Sequence, residues 1–164
     1  MRIVKVSIFL IPIFLIFGYW AFSTPVLSTR INGYEIEPFA VLAEADFRGA
    51  DFEKAELRGV VLTDANLSRA NLIDANLSDA NLDRADLTLA DLSGADLSRA
   101  SLMSAVLEGA NLKGANLRGV FLKGANLVGA NLSDANMKGA DMTGVNLYSA
   151  IMTNAIVPDG TIHG

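Results

Sequence analysis

The sequence contains no cysteine and one histidine in 164 residues; aromatic side chains make up 7% of it, and proline occurs four times. Without cysteine there is no disulfide framework, no thiol nucleophile and no thiolate metal site. The single histidine, His163, stands in the last five residues. Alone, it builds neither a serine-type triad nor a histidine metal site, and it reads as a solvated residue of a frayed tail. Cationic side chains are also in short supply, 13 Lys and Arg against 18 Asp and Glu, for a formal charge of −5. A basic face able to neutralise phosphates is therefore missing, and direct nucleic-acid binding is not expected. The glycines never stand in the strand, loop and helix order that a phosphate-binding loop requires. These absences exclude the common catalytic constellations, and the chain reads as no enzyme, with no cofactor and no metal.

A long apolar run is present, but only once. After Arg2 and Lys5, the stretch from Val6 to Phe22 carries no charge. As a helix rising ~1.5 Å per residue it spans roughly 26 Å, close to the thickness of a hydrocarbon core. Residues 1–22 are thus expected to form an N-terminal hydrophobic helix acting as a signal peptide or a transmembrane anchor. Ala21 and Ser23 fit the small-residue pattern of a cleavage site, with Val26-Leu27-Ser28 as a second option, whereas Tyr19 and Trp20 fit an interfacial belt of an uncleaved anchor. Both outcomes stay open. In either, the preceding positive charges keep the start of the chain in the cytoplasm and send the rest across, to a periplasm, a thylakoid lumen or the cell surface. Pro12, and the lack of any matching apolar helix downstream, argue against a buried core helix. Residues 23–39 hold Pro25, Asn32-Gly33 and Pro38 and read as a linker and N-terminal cap, with a short strand at Tyr34–Ile36 covering the N-terminal end of the domain that begins at Ala40.

From Ala40 to Asp159 one pattern repeats every five residues: ADFRG, ADFEK, AELRG, ANLSR, ANLID and so on to ANMKG, ADMTG and VNLYS. Positions 42, 47 and every fifth residue to 157 are Leu, Phe, Met or Val, which makes (157 − 42)/5 + 1 = 24 repeats. Two residues before each stands Ala, or Val at Val60, Val120 and Val145. At ~100° per residue a five-residue step leaves a net rotation of about 140°, so the leucines of a helix would wind around it and form no face. A straight strand fails too, because an odd period throws successive leucines to opposite sides. The chain must turn once per repeat, as a narrow solenoid. Ala and Leu, two apart, point inward; the Asn or Asp between them points out; the last position, often Gly, makes the corner. Backbone groups then pair between coils stacked ~4.8 Å apart.

These A(N/D)LxG-type units resemble the pentapeptide-repeat family over about 120 of the 164 residues. The resemblance implies an all-β fold, a right-handed quadrilateral β-helix with four repeats per coil. On that basis 24 repeats make six coils, a rod of roughly 29 Å, followed by a tail at 160–164. The outward slot departs from Asn or Asp at Val41, Glu56, Val61, Ser101, Val106, Phe121, Ile151 and Ile156. Asp86, Asp91 and Asp96 occupy the same slot as Asn66, Asn71 and Asn76, so the repeat accounts for them without acid–base chemistry.

With four repeats per coil, residues 20 apart stack. Val128 then lies above Tyr148 with Val106 on the same face, and Met103 and Phe121 lie on the adjacent one. These five outward apolar residues are the candidate interaction patch. The expected role is a structural or protein-interaction module with a protein partner, in contact with a membrane through residues 6–22. Met152, Ile151, Ile156 and Val157 make the last coil apolar, so a weak end-to-end homodimer is expected as well. The alternative is a duplex mimic that binds a topoisomerase, as some family members do. Residues 40–99 carry 12 acidic and 6 basic side chains, net −6, against 4 and 4 in residues 100–159. That neutral second half and the export segment weigh against mimicry.

Overall fold

The computed structural model describes residues 29–31 and 34–164; the expected hydrophobic helix of residues 1–22 lies outside them. Two short strands come first, β1 (Thr29–Ile31) and β2 (Tyr34–Ile36), paired antiparallel with Thr29 opposite Ile36. Ile31 and Ile36 are buried and join the core of the repeats. Among the described residues no helix is long and apolar enough to cross a membrane.

From Val41 onward each outward-slot residue forms a parallel bridge with the residue 20 positions later, from Val41↔Val61 to Asn136↔Ile156. Twenty residues per coil and five per repeat make a four-sided section, and residues 40–159 complete six coils. The odd exceptions in the outward slot do not interrupt this register. Sides one to four hold, in the first coil, Val41, Asp46, Asp51 and Glu56.

Each repeat uses its backbone donors in a fixed way. In the repeat at Ala65 to Arg69, the Asn66 N–H donates back to Ala45 O at 2.9 Å, and the Leu67 N–H forward to Asp86 O at 2.7 Å. The Arg69 N–H donates forward to Thr88 O at 2.9 Å, and the Ala70 N–H closes the corner on Leu67 O at 3.0 Å. That leaves one donor, the N–H of the fourth residue. The Asn66 side-chain oxygen accepts it, from Ser68 at 3.0 Å, as Asp86 does from Thr88 at 2.9 Å. The outward slot is therefore Asn or Asp for a reason beyond solubility: a short side-chain oxygen two residues back is the acceptor this corner needs.

The corner's last residue has positive φ in every repeat from Phe39 to Asn154, between 55° and 74°. This is the third residue of a type II turn, where glycine is free of strain and other residues cost roughly 1–2 kcal/mol. Geometry of this kind begins one corner before the sequence pattern, since Phe39 already has φ 65° and the Ala40 N–H donates to Glu37 O at 3.1 Å.

Inside, alanines and leucines of the middle coils are 0–1% exposed. Ala lies against the narrow section and Leu fills its centre. In the first coil the centre is filled by Phe47 and Phe52, edge to face with centroids 5.2 Å apart. The other end differs. Met142, Val145, Leu147 and Met152 of the last coil are only partly buried, and the N–H groups of Met142, Leu147 and Met152 have no acceptor among the described residues. The tail is not frayed as its composition suggests. Gly160 turns it, Ile162 pairs antiparallel with Ile156, and the His163 N–H donates to Ala155 O at 2.8 Å, so it runs back along side four. Its side chains remain exposed.

Candidate interaction surface

Because the core is filled and the coil-to-coil hydrogen-bond ladder is complete through the middle coils, the side chains free to meet a partner there are those of outward slots and corners. Among the described residues no group of His, Cys, Asp or Glu is placed to hold a metal ion. The concavity at the corner leaving side one is an open groove of about 360 Å³, lined by Asp83, Arg84, Met103, Ser104, Lys123 and Gly124.

The coil register places the five patch residues on two neighbouring sides. Phe121 stacks under Ser101 on side one, and Met103 stands at the corner next to it; they are 50% and 41% exposed. Val106 lies on side two between Asp86 and Asn126, half-buried, while Val128 and Tyr148 stack at the next corner. Tyr148 is the most open of the exposed large apolar residues at 75%. The patch is thus two rows around one corner, not one cluster.

Sequence reasoning left four further exposed apolar side chains out of its candidate surfaces: Phe39, Val41, Leu89 and Ile162. Phe39 and Leu89 occupy the positive-φ corner slot, and each lies over a glycine one coil on. A Cβ at Gly59 would come within 2.3 Å of the Phe39 ring, and one at Gly109 within 2.8 Å of Leu89 Cδ2. The signal was available by sorting exceptions to the five-residue pattern into their four sides. Four of the eight slot exceptions, Val41, Val61, Ser101 and Phe121, then fall on side one. There the corner donor loses its own cap. At Met103 a neighbour replaces it: Asp83, one coil above, accepts the Met103 N–H at 3.0 Å and the Ser101 hydroxyl as well.

Charges sort by coil. All five ion pairs among the described residues lie between Asp46 and Arg99. Two join corners 20 residues apart, Asp64 with Arg84 and Asp79 with Arg99, each through two hydrogen bonds of 2.7–2.9 Å. The guanidinium hydrogen bonds hold the Asp64 and Asp79 carboxyls below the usual carboxylate range. At the corners flanking side one in coils four and five the residues are instead Arg118, Lys123 and Lys138, all exposed and without an ion pair among the described residues.

The family model described as pentapeptide repeats matches the chain in eight copies, over residues 40–79, 65–102, 80–119 and 119–154. No curated protein matches its sequence. Among solved structures, a pentapeptide repeat protein of the Arabidopsis thaliana thylakoid lumen is 38% identical, with a TM-score of 0.58 over 58% of this chain and 67% of that one. The pentapeptide repeat protein Rfr23 from the cyanobacterium Cyanothece 51142 is 31% identical, with a TM-score of 0.50 over 76% of this chain and 88% of that one. The fluoroquinolone resistance protein QnrB1 superposes at a TM-score of 0.41 and 25% identity, over 70% of this chain and 66% of that one, too loosely to carry an argument.

Proposed function

Because the chain belongs to the pentapeptide-repeat family, we propose that it is a non-catalytic interaction rod, carried across or held at a membrane by residues 6–22, which presents exposed side chains to a protein partner. The observation that carries this reading is the division of the molecule: a filled interior closed by a repeating hydrogen-bond ladder, and apolar side chains placed outside it where the ladder gains nothing. A rod of this kind binds by its surfaces, because alanine and leucine side chains fill the interior of the stacked coils. The row of Val106, Val128 and Tyr148 is the protein-facing part, with Tyr148 as its anchor, since an exposed tyrosine brings large contact area at low entropic cost. Arg2 and Lys5 before the apolar run, together with a relative from a thylakoid lumen, support an extracytoplasmic place. The open last coil supports weak end-to-end pairing of two copies, on the three sides its own tail leaves uncovered.

The test is a photo-crosslinking residue at position 148 or, at the next corner round, leaving side three, at position 74, in the tagged full chain within its own host, with N-terminal sequencing of the recovered protein. One crosslinked partner at 148 and none at 74, on protein recovered outside the cytoplasm, is the expected result. Equal labelling from both positions, or recovery of the protein from the cytoplasm, sinks the reading. The alternative, topoisomerase binding by duplex mimicry, is checked separately: protection of gyrase by the purified chain supports it, and no effect eliminates it.

A further inference from the structure

Side one is unlike the other three. At its N-terminal end it carries Val41 and the neighbouring Phe39, 58% and 62% exposed, and farther along Met103 and Phe121, 41% and 50% exposed. Arg118 stands three residues before Phe121, Lys123 two residues after it, and Lys138 one coil below Arg118. No acidic residue occupies side one or its two corners within coils four and five, in a chain whose net charge is −5. Asp141 and Asp159 come only in the last coil.

Arg118 and Lys138 are like charges in register. In coils two and three the same kind of neighbour, 20 residues apart at a corner, is an opposite charge held by two hydrogen bonds. Stacked cations repel, and among the described residues no ion pair offsets the repulsion here, although Asp141 of the last coil acts electrostatically on Lys123. An external anion offsets it. Two half-exposed apolar side chains between these cations call for a partner that is anionic and apolar together, spread over a flat side about 24 Å long from first to last coil.

We propose that side one lies on an anionic lipid surface, with Met103 and Phe121 entering the headgroup boundary and Arg118, Lys123 and Lys138 on lipid phosphates. This combination of basic and apolar groups on one face is what interfacial binding requires. The chain outside the described residues favours lipid over an acidic protein segment. The apolar run ends at Phe22, and residues 23–28 reach at most about 20 Å before β1 begins at Thr29. With that run in a membrane, the first coil, whose side one bears Val41 beside Phe39, is held within reach of it. The rod then lies along the membrane and turns Tyr148, at the second corner, toward the aqueous side. This orientation rests on the membrane placement proposed above, and one experiment separates the two.

Since the protein has no cysteine, single Ser104→Cys and Ser133→Cys variants of the full chain each accept one environment-sensitive fluorophore. Ser104 lies at the corner leaving side one and Ser133 at the diagonally opposite corner. Vesicles of pure phosphatidylcholine are compared with vesicles of phosphatidylcholine mixed equally with phosphatidylglycerol. Binding to both through the apolar run reports on the anchor alone. If side one lies on anionic lipid, the label at position 104 shifts to the blue only with phosphatidylglycerol. That shift is lost in high salt and in the R118Q/K123Q/K138Q variant, and position 133 shows none. Equal emission from position 104 in both lipids, or equal shifts at 104 and 133, overturns the proposal. So does a shift at 104 with soluble polyglutamate but not with anionic vesicles, which identifies an acidic protein segment as the partner. Circular dichroism of the triple variant shows whether its coils remain intact. Should they not, position 104 in the parent chain, with and without salt, decides.

Discussion

Coils one to three and coils four to six share one backbone but finish their corners differently. From Glu44 to Arg99, three of twelve corner residues at positive φ are glycine; from Ser104 to Asn154, seven of eleven are. The first half therefore places side chains where an L-residue is strained, and uses several of them to tie coils together: Asp64 to Arg84, Asp79 to Arg99, Phe39 over Gly59. The second half relieves the strain with glycine and leaves its cations unpaired. The difference teaches that the ladder of hydrogen bonds and the Ala/Leu core suffice for the fold, so corner chemistry is free to serve stability in one half and surface in the other.

The largest test of that contrast is in the core. Leu67→Ala in coil two removes a side chain with 0% exposure, and a loss of about 3 kcal/mol is expected; Leu147→Ala in the partly open last coil should cost roughly half as much. Equal losses in urea denaturation would show that the last coil is covered in solution by a second copy.

Corner glycines come next. Gly59→Ala should cost about 2 kcal/mol, because the new methyl both strains the backbone at φ +65° and displaces the Phe39 ring from 2.3 Å away. Gly129→Ala, with nothing within 4 Å of its Cβ, should cost about 1 kcal/mol. Thermal melts of the two variants decide whether stacking across corners adds to strain.

A smaller effect of opposite sign is expected in the outward slot. Phe121→Asn restores an acceptor for the Lys123 N–H and should stabilise by roughly 0.5–1 kcal/mol, while removing an apolar group from side one. Asn66→Val, which takes the acceptor away from Ser68 N–H at 3.0 Å, should destabilise by about the same amount. A loss of stability in Phe121→Asn would mean that the ring contributes packing to the rod itself.

The smallest effect is on pH dependence. Asp64 and Asp79 have lowered pKa values in the folded chain, caused first by hydrogen bonds from Arg84 and Arg99. Their contribution is complete above the unfolded carboxylate value of about 3.9 and is lost as pH falls through the lower folded values. D64N/D79N should flatten the acid limb of the stability curve below pH ~4 and leave neutral pH little changed, since exposed pairs contribute little. An unchanged acid limb would remove these pairs from the account of the first half.

Much of the architecture was legible because each repeat poses the same packing problem. A five-residue period excludes helix and straight strand by arithmetic, and it assigns inward and outward positions residue by residue. The stacking of Val128 on Tyr148, and the separation of Met103 and Phe121 from Val106, came out once four repeats per coil were assumed. Other features were closed to that reasoning. The capping role of Asn66 depends on where the corner turns the Ser68 N–H. Phe39 and Leu89 look like irregular corners until the glycines one coil on are seen beneath them. The tail, too short and polar to suggest structure, pairs with Ile156 because the last coil presents unpaired backbone groups of its own.

By itself, then, the sequence determined the unit: alanine and leucine two apart in every repeat require a narrow stacked core, whatever the surroundings. Only the tertiary structure decided which repeats are neighbours. Contacts between coils join residues 20 apart, and whether such a pair attracts, caps or repels depends on a register that no single repeat contains.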